Sequence, residues 1–177
     1  AQVLYVTNNA SRTPQAVAEQ LAGYGLRVAA EDVVTSAQAA AAHLATLVPA
    51  GARVLVTGGE GLVQAVTAQG LRIVQSADEA DAVVQGFSPR LAWRDLAAAS
   101  YAVAGGVAWV ASNSDMSVPT ARGIAPGNGT FVAAVASATG RASASATSRM
   151  VAYRVTSTPP GSRVISFPSE RNRIIVG

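Results

Sequence analysis

The chain has 177 residues and a mass of 17.8 kDa, the size of one domain or of two small ones sharing a core. Half of its residues are hydrophobic and only 13% are charged, which excludes a disordered polyelectrolyte. All thirteen basic residues are arginine, Cys is absent and His43 is the single histidine, so lysine Schiff bases, a P-loop lysine, thiol nucleophiles, disulfides and Cys- or His-rich metal sites are excluded.

The net charge is +3 and the sequence pI about 10.0. The arginines are scattered from Arg12 to Arg173 and aromatic residues make up 5%. A nucleic-acid stripe would cluster the cations and interleave aromatics, so no nucleic-acid partner is expected. No stretch approaches the ~20 apolar residues of a membrane span, and no signal-peptide pattern is visible. The expectation is a cytoplasmic protein without a membrane partner. The chain begins without Met, already in a strand, and stops on the apolar run Arg173–Gly177; it is therefore expected to be a fragment cut at both ends.

In chain order, Val3-Leu4-Tyr5-Val6 is predicted to be a buried strand. Thr13-Pro14 opens a helix with Thr as N-cap and Pro at the first position, its apolar face Val17, Leu21 and Tyr24 and its end Gly23 or Gly25. After Val33-Val34, Thr35 or Ser36 caps an alanine-rich helix to about Leu47. Strands are predicted at 53–56, 71–74, 82–84 and 107–111, and helices at 60–69 and 92–104. This alternation is the pattern of βαβ units and a mainly parallel sheet. A long loop is expected over 112–127, then a helix over 129–139. Trp93 and Trp109 read as core residues, and His43 as a surface or interface residue. From Arg141 the texture changes: 142–148 is Ser/Ala/Thr-rich and 156–162 carries paired prolines. This stretch reads as a flexible linker or as sequence foreign to the fold.

Three segments carry candidate chemistry. Thr7-Asn8-Asn9-Ala10-Ser11 follows a strand, where hydroxyl, amide and loop N–H groups can converge on an anion; an Asx turn leading to a helix cap is the plainer account. Thr57-Gly58-Gly59-Glu60-Gly61 resembles half a phosphate loop but lacks the G-x-G-x-x-G spacing. A tight glycine turn is the plainer account, and a nucleotide site there would bind ATP or NAD. The polar loop from Asn113 to Thr120 can select a ligand or merely connect two elements. Arg122 is either an anion partner or a solvated surface residue, and Pro126-Gly127-Asn128-Gly129 is a turn before a helix.

Taken in order, the segments VLYVTNNASRTP, EDVVTSAQAAAAHL, RVLVTGGEGL, DAVVQGF, WVASNSDMSVPTARG and PGNGTFVAAVASATGR resemble the haloacid dehalogenase superfamily phosphatases that carry the large α/β cap (C2-type, class IIA), the p-nitrophenylphosphatase, phosphoglycolate and glycerol-3-phosphate phosphatase group. The likeness covers residues 1 to about 141. It implies an incomplete Rossmann-like core with an inserted cap: partial core over 1–48, cap over 49–122 and return to the core over 123–177, with 142–171 atypical. It also implies Mg²⁺-dependent hydrolysis of a small phosphomonoester through an aspartyl-phosphate, with a homodimer as candidate assembly.

By the same resemblance Thr7 matches the residue that hydrogen-bonds the phosphoryl group, and Asn8 and Asn9 its phosphate and substrate contacts. Asp115, Met116, Ser117 and Val118 match the substrate-specificity loop, with Val118 facing the leaving group. The departures are as informative. The first Asp is Asp32, so the Asp-x-Asp-Gly nucleophile and acid/base motif is expected upstream of residue 1, and no catalytic residue is assigned. Residues 142–150 occupy the place of the Gly-Lys-Pro motif, in a chain without Lys. The run Arg173–Gly177 resembles the strand that precedes the metal-binding acids and stops short of them, so no metal ligand is assigned either. The expectation is that 142 to about 171 replaces the usual segment through compensating frame errors, and that this chain is inactive. The alternative function is a non-catalytic phosphate-ligand or interaction module. Aggregation or partial folding is expected of an incomplete parallel sheet, with residues 49–122 the best ordered.

Overall fold

A computed structural model describes residues 3–145. The fold is α/β. The chain runs β1 (Tyr5–Thr7), α1 (Pro14–Ala22), β2 (Val33–Thr35), α2 (Ser36–Ala45), β3 (Arg53–Thr57), α3 (Glu60–Ala68), β4 (Arg72–Val74), β5 (Ala82–Gln85), α4 (Trp93–Ala104), β6 (Ala108–Ala111), β7 (Ser117–Thr120), β8 (Gly123–Pro126), α5 (Asn128–Thr139) and β9 (Ala144–Ser145). Beyond residue 145, the atypical stretch and the run 173–177 lie outside the described residues.

Local chemistry sets the helix starts. Thr13 Oγ1 accepts from Ala16 N–H at 3.1 Å and Pro14 takes the first position of α1. Thr35 and Gln38 form a reciprocal capping box at α2. Asp95 reaches back to Ala92 N–H at 2.7 Å to start α4, and Gly140, with φ 67°, ends α5 in the left-handed conformation that Gly adopts without strain.

The main sheet has five parallel strands in the order β4-β3-β5-β6-β9. Alternate residues serve opposite faces, and both faces are covered, which is why the strands read as continuous apolar runs. Val54, Ala82, Val84 and Val110 pack with Ala37, Ala40, Ala41 and Leu44 of α2 and with Leu62, Ala65 and Val66 of α3. Leu55, Val83 and Trp109 pack with Ala99, Ala102 and Val103 of α4 and Val135 of α5. The small residues of α2 let it lie close on the sheet. Helix α2 therefore shares a core with strands on the far side of residue 48, and α5, which follows residue 122, packs on α4, which precedes it.

Strands β1 and β2 form a separate two-stranded parallel sheet with Tyr5 opposite Val33. The strand over 3–6 is not buried as expected: Val6 is 43% exposed and Val3 is exposed too. Among the described residues no third strand pairs with this sheet, and a two-stranded sheet lacks the layers needed to cover its own faces. Two further expectations fail. Trp93 is 78% exposed at the first position of α4, whereas Trp109 is 5% exposed in the core. The supposed loop over 112–127 contains an antiparallel hairpin, β7 with β8. Its prolines, Pro119 and Pro126, masked the strand signal because proline is tolerated only at sheet edges.

The chain leaves β3 through α3 to β4 on one side, then returns to β5 on the other. This is a topological switch point, where an open parallel sheet has its crevice. Here the crevice is filled by the chain itself. A Cβ at Gly59 would lie 2.7 Å from Ser11 O, and one at Gly86 would lie 3.2 Å from Ala10 Cβ. Gly61 N–H donates to Ser11 O at 3.3 Å, and a Cβ at Gly61 would overlap the Arg12 carbonyl. The glycines of the 57–61 turn thus admit a protein backbone where a phosphate loop would admit a nucleotide.

At the opposite edge, Arg53 and Asp81 join the starts of β3 and β5 by a bidentate pair, Nε–Oδ2 3.1 Å and Nη2–Oδ1 2.8 Å, with Arg53 N–H on Oδ2 at 2.8 Å. These donors lower the Asp81 pKa to about 2. Because the folded pKa lies below the unfolded one, the pair's contribution to stability is present above about pH 4 and is lost as pH falls through about 2. Urea unfolding between pH 5 and pH 2 is expected to show the stability gap between wild type and Asp81→Asn shrinking across this window; a gap independent of pH would contradict it. Gly61→Ala is expected to cost about 1–3 kcal/mol in chemical denaturation, because the new methyl group must push the 10–12 backbone out of the crevice. A neutral substitution would show that the loop docks without close contact.

Candidate functional site

The candidate site lies at the C-terminal edge of the strands, where the loop leaving β1 meets the loop leaving β6. Thr7 is the last residue of β1 and is half-buried; its Oγ1 accepts from Asn9 N–H at 3.2 Å. Asn9 is exposed, and its Oδ1 accepts from Ser11 N–H at 2.8 Å and Ser11 Oγ at 2.7 Å. The Asx turn weighed from the sequence is therefore present, and it uses the oxygen of Asn9. A phosphoryl group needs donors, and the Thr7 hydroxyl and the Asn9 amide are of that kind.

Asn8 joins three elements. Its carbonyl accepts from Ser36 Oγ at 2.8 Å, at the start of α2, and from Asn113 Nδ2 at 3.1 Å, after β6. Its Nδ2 donates to the Asp115 carboxylate. Its Oδ1 is buried without a hydrogen-bond partner in the structure. The two groups of residues singled out from the sequence, 7–9 and 115–118, thus touch through Asn8 and Asp115.

Asn113 and Asn128 hold the second loop. Asn113 Oδ1 accepts from Asp115 N–H at 3.2 Å, and its main-chain carbonyl accepts from Asn128 Nδ2 at 2.8 Å. Gly129 N–H donates to Asp115 O at 2.8 Å, while Gly127 N–H and Thr130 Oγ1 donate to Met116 O at 3.0 and 2.6 Å. A Cβ at Gly129 would overlap the Ser114 carbonyl, so the glycines around Asn128 allow the start of α5 to approach this loop. Asp115 and Met116 precede the hairpin, whereas Ser117 and Val118 are its first two residues on β7, with Val118 half-buried. Arg122 is exposed at the hairpin tip.

Ser36, Asn113 and Asn128 are site residues whose role the sequence concealed. Each carried a plainer local signal: a helix cap, a connecting loop and a turn. Their partners are 28, 105 and 15 residues away along the chain, beyond the reach of any local pattern.

The site's electrostatics are distinctive. Its donors are neutral and its one charged member is a carboxylate, Asp115. Arg12, the nearest basic residue in sequence, donates to Gln20 instead. A cleft of about 490 Å³ lies away from these residues, beside the 58–60 turn, and is lined by Glu60, Ser88, Arg90, Arg94 and Asp95 among others. Its two cations are matched by two carboxylates. Among the described residues, no group of three His, Cys, Asp or Glu side chains could hold a metal ion, and no helix is long and apolar enough to cross a membrane.

A family model described as haloacid dehalogenase-like hydrolase matches residues 1–72. The chain is 52% identical over 138 residues to a D-glycerol 3-phosphate phosphatase of Mycobacterium tuberculosis, covering 77% of this chain and 39% of that protein. It is 40% identical over 137 residues to an acid sugar phosphatase of Staphylococcus saprophyticus, covering 77% of this chain and 52% of that protein. It thus spans about half or less of the length of the curated relatives it matches. The crystal structure of a glycerol phosphate phosphatase from M. tuberculosis in complex with magnesium superposes with a TM-score of 0.80 at 50% identity, over 82% of this chain and 45% of that one. A p-nitrophenyl phosphatase from Archaeoglobus fulgidus superposes with a TM-score of 0.73 at 31% identity, over 81% and 54%. Sequence and structure agree: the chain matches the haloacid dehalogenase-like hydrolases over residues 1–72 and shares the fold of these phosphatases over about four fifths of its length.

Proposed function

We propose that this chain is the substrate-recognition portion of a phosphatase that hydrolyses a small phosphomonoester. The observation that carries the reading is the Asn8–Asp115 contact, which sets the loop 7–9 directly against the loop 115–118. In this reading Thr7, Asn8 and Asn9 face the phosphoryl group. Asp115, Met116, Ser117 and Val118 face the leaving group, and apolar Val118 is compatible with a small ester. The division into core over 1–48, cap over 49–122 and returning core over 123–177 belongs to the same proposal, as do a cytoplasmic location, a possible homodimer and the absence of a nucleic-acid or membrane partner. The names of the relatives, glycerol phosphate and acid sugar phosphatases, support a small polar ester as substrate.

The residues present bind and orient; they do not complete the reaction. Covalent phosphoryl transfer of this kind needs a carboxylate nucleophile and a second carboxylic acid to protonate the leaving group. The chain has no Asp before Asp32 and no Lys anywhere. Among the described residues no three His, Cys, Asp or Glu side chains gather as a metal-binding group, whereas related enzymes crystallise with magnesium and calcium. Thr7 and Asn9 supply neutral donors to phosphoryl oxygens, while Asp115 repels a phosphate dianion. Tight binding therefore requires positive charge that these residues do not bring.

With p-nitrophenyl phosphate and Mg²⁺, the purified 177-residue chain is expected to show no turnover above buffer, since loss of a nucleophile removes several orders of magnitude in rate. Clear turnover would overturn the assignment of inactivity. Glycerol 3-phosphate at ten times its Kd stabilises by about 1.4 kcal/mol, which raises Tm by about 3–5 °C. Thr7→Ala is expected to abolish that rise, and an undiminished rise in the variant would remove Thr7 from the site. Stabilisation by a phosphate ester without turnover is also what the second reading, a non-catalytic phosphate-binding module, predicts. Turnover regained on supplying the missing acidic motifs separates the two.

A further inference from the structure

The geometry assigns Asn113 as the positioning residue that registers the leaving-group loop on the phosphoryl loop. This rests on the functional reading above. Asn113 is 4% exposed and uses every polar atom of its side chain between the two loops: Nδ2 on Asn8 O at 3.1 Å and Oδ1 on Asp115 N–H at 3.2 Å. Its main-chain carbonyl is fixed from a third direction by Asn128 Nδ2 at 2.8 Å. Asn8 and Asp115 then meet directly, closing a ring of three residues from two loops. A buried, fully engaged amide has one orientation, because rotating it sets acceptor against acceptor and donor against donor. The spacing between Thr7 and Val118 is consequently set by a side chain assigned to neither substrate group. Ser36 holds the same Asn8 carbonyl at 2.8 Å but makes no hydrogen bond to the second loop among the described residues, so it anchors without registering.

The test is amide exchange and ¹H–¹⁵N shift mapping of the 177-residue chain and three variants. Asn113→Ala is expected to speed exchange at Asp115 N–H by about five- to tenfold, the loss of one neutral hydrogen bond, and to shift the Asn8 and Asn9 amides together with those of 115–118. Asn113→Asp keeps the acceptor for Asp115 N–H but sets a carboxylate oxygen against the Asn8 carbonyl in place of the donor, so it shifts Asn8 and Asn9 and leaves Asp115 N–H protected. Ser36→Ala shifts Asn8 and Asn9 and leaves 115–118 in place. Unchanged protection at 54–56 and 83–84 shows that the fold is intact. Shifts in Asn113→Ala confined to 112–115, or Asn113→Asp behaving like Asn113→Ala, would overturn the assignment. Titration adds a second arm. In wild type, p-nitrophenyl phosphate moves Val118 together with Thr7–Asn9; in Asn113→Ala it moves Thr7–Asn9 alone, and an equal response at Val118 would overturn the inference. If inorganic phosphate leaves Thr7–Asn9 unmoved in wild type, the functional reading fails, and the exchange data still decide whether Asn113 registers the two loops.

Discussion

A single main-chain carbonyl, that of Asn8, carries two donors: the Ser36 hydroxyl at 2.8 Å and the Asn113 amide at 3.1 Å. Ser36 and Asn113 are themselves almost wholly buried. A buried side-chain donor that loses its acceptor incurs a desolvation penalty of about 1–3 kcal/mol, so both hold the exit of β1 in one place. The small sheet of β1 and β2 has little packing of its own. It is tied to the five-stranded sheet by these bonds and by α2, whose alanines and Leu44 share a core with Val54, Val84 and Val110. The position of the candidate site is thus set by polar bonds at one end of α2 and by apolar packing along its length.

The switch-point crevice between β3 and β5 shows the same economy of space. In open α/β sheets this is where ligands usually enter. Here residues 10–12 occupy it; Gly59 and Gly61 are small because backbone passes against them, and Gly86 because the Ala10, Leu62 and Ser112 side chains crowd it. The anion-seeking N–H of Gly61 is already used on Ser11 O. The candidate site lies instead at the ends of β1 and β6, where Thr7, Asn9 and the 115–118 segment stand clear of the filled crevice. The nucleotide reading of the glycine turn therefore loses to a packing explanation.

Much of this architecture was legible in the sequence. Thr13-Pro14 and the Thr35/Gln38 pair announced their helices through local hydrogen-bond chemistry, and β3, β5 and β6 through continuous apolar runs that only a sheet covered on both faces requires. The failures have physical causes. Trp93 was read as core because it is large and apolar, but it falls at the open first turn of α4. The β7–β8 hairpin was hidden by two prolines that an edge strand tolerates. The apolar residues of β1 suggested burial, which needs layers that two strands cannot supply. Thr7–Asn9 and 115–118 stand out locally as polar loops at strand ends, but that they form one site was legible only through their likeness to a family. The bonds that join them run between residues more than 100 apart in sequence, and no local pattern encodes such a bond.

The proposed function requires that an anionic group of a substrate sit at Thr7–Asn9 and not in the cleft between Gly58 and Arg94. Neutral donors with one nearby carboxylate make this a weak anion site, so a high concentration of a compact tetrahedral oxyanion is the appropriate probe. A crystal structure of the chain soaked with tungstate decides the matter through the anomalous signal of the metal. The account predicts a peak within hydrogen-bond reach of Thr7 Oγ1 and the Asn9 amide. A peak held instead by Arg90 and Arg94, with none at Thr7, would contradict it.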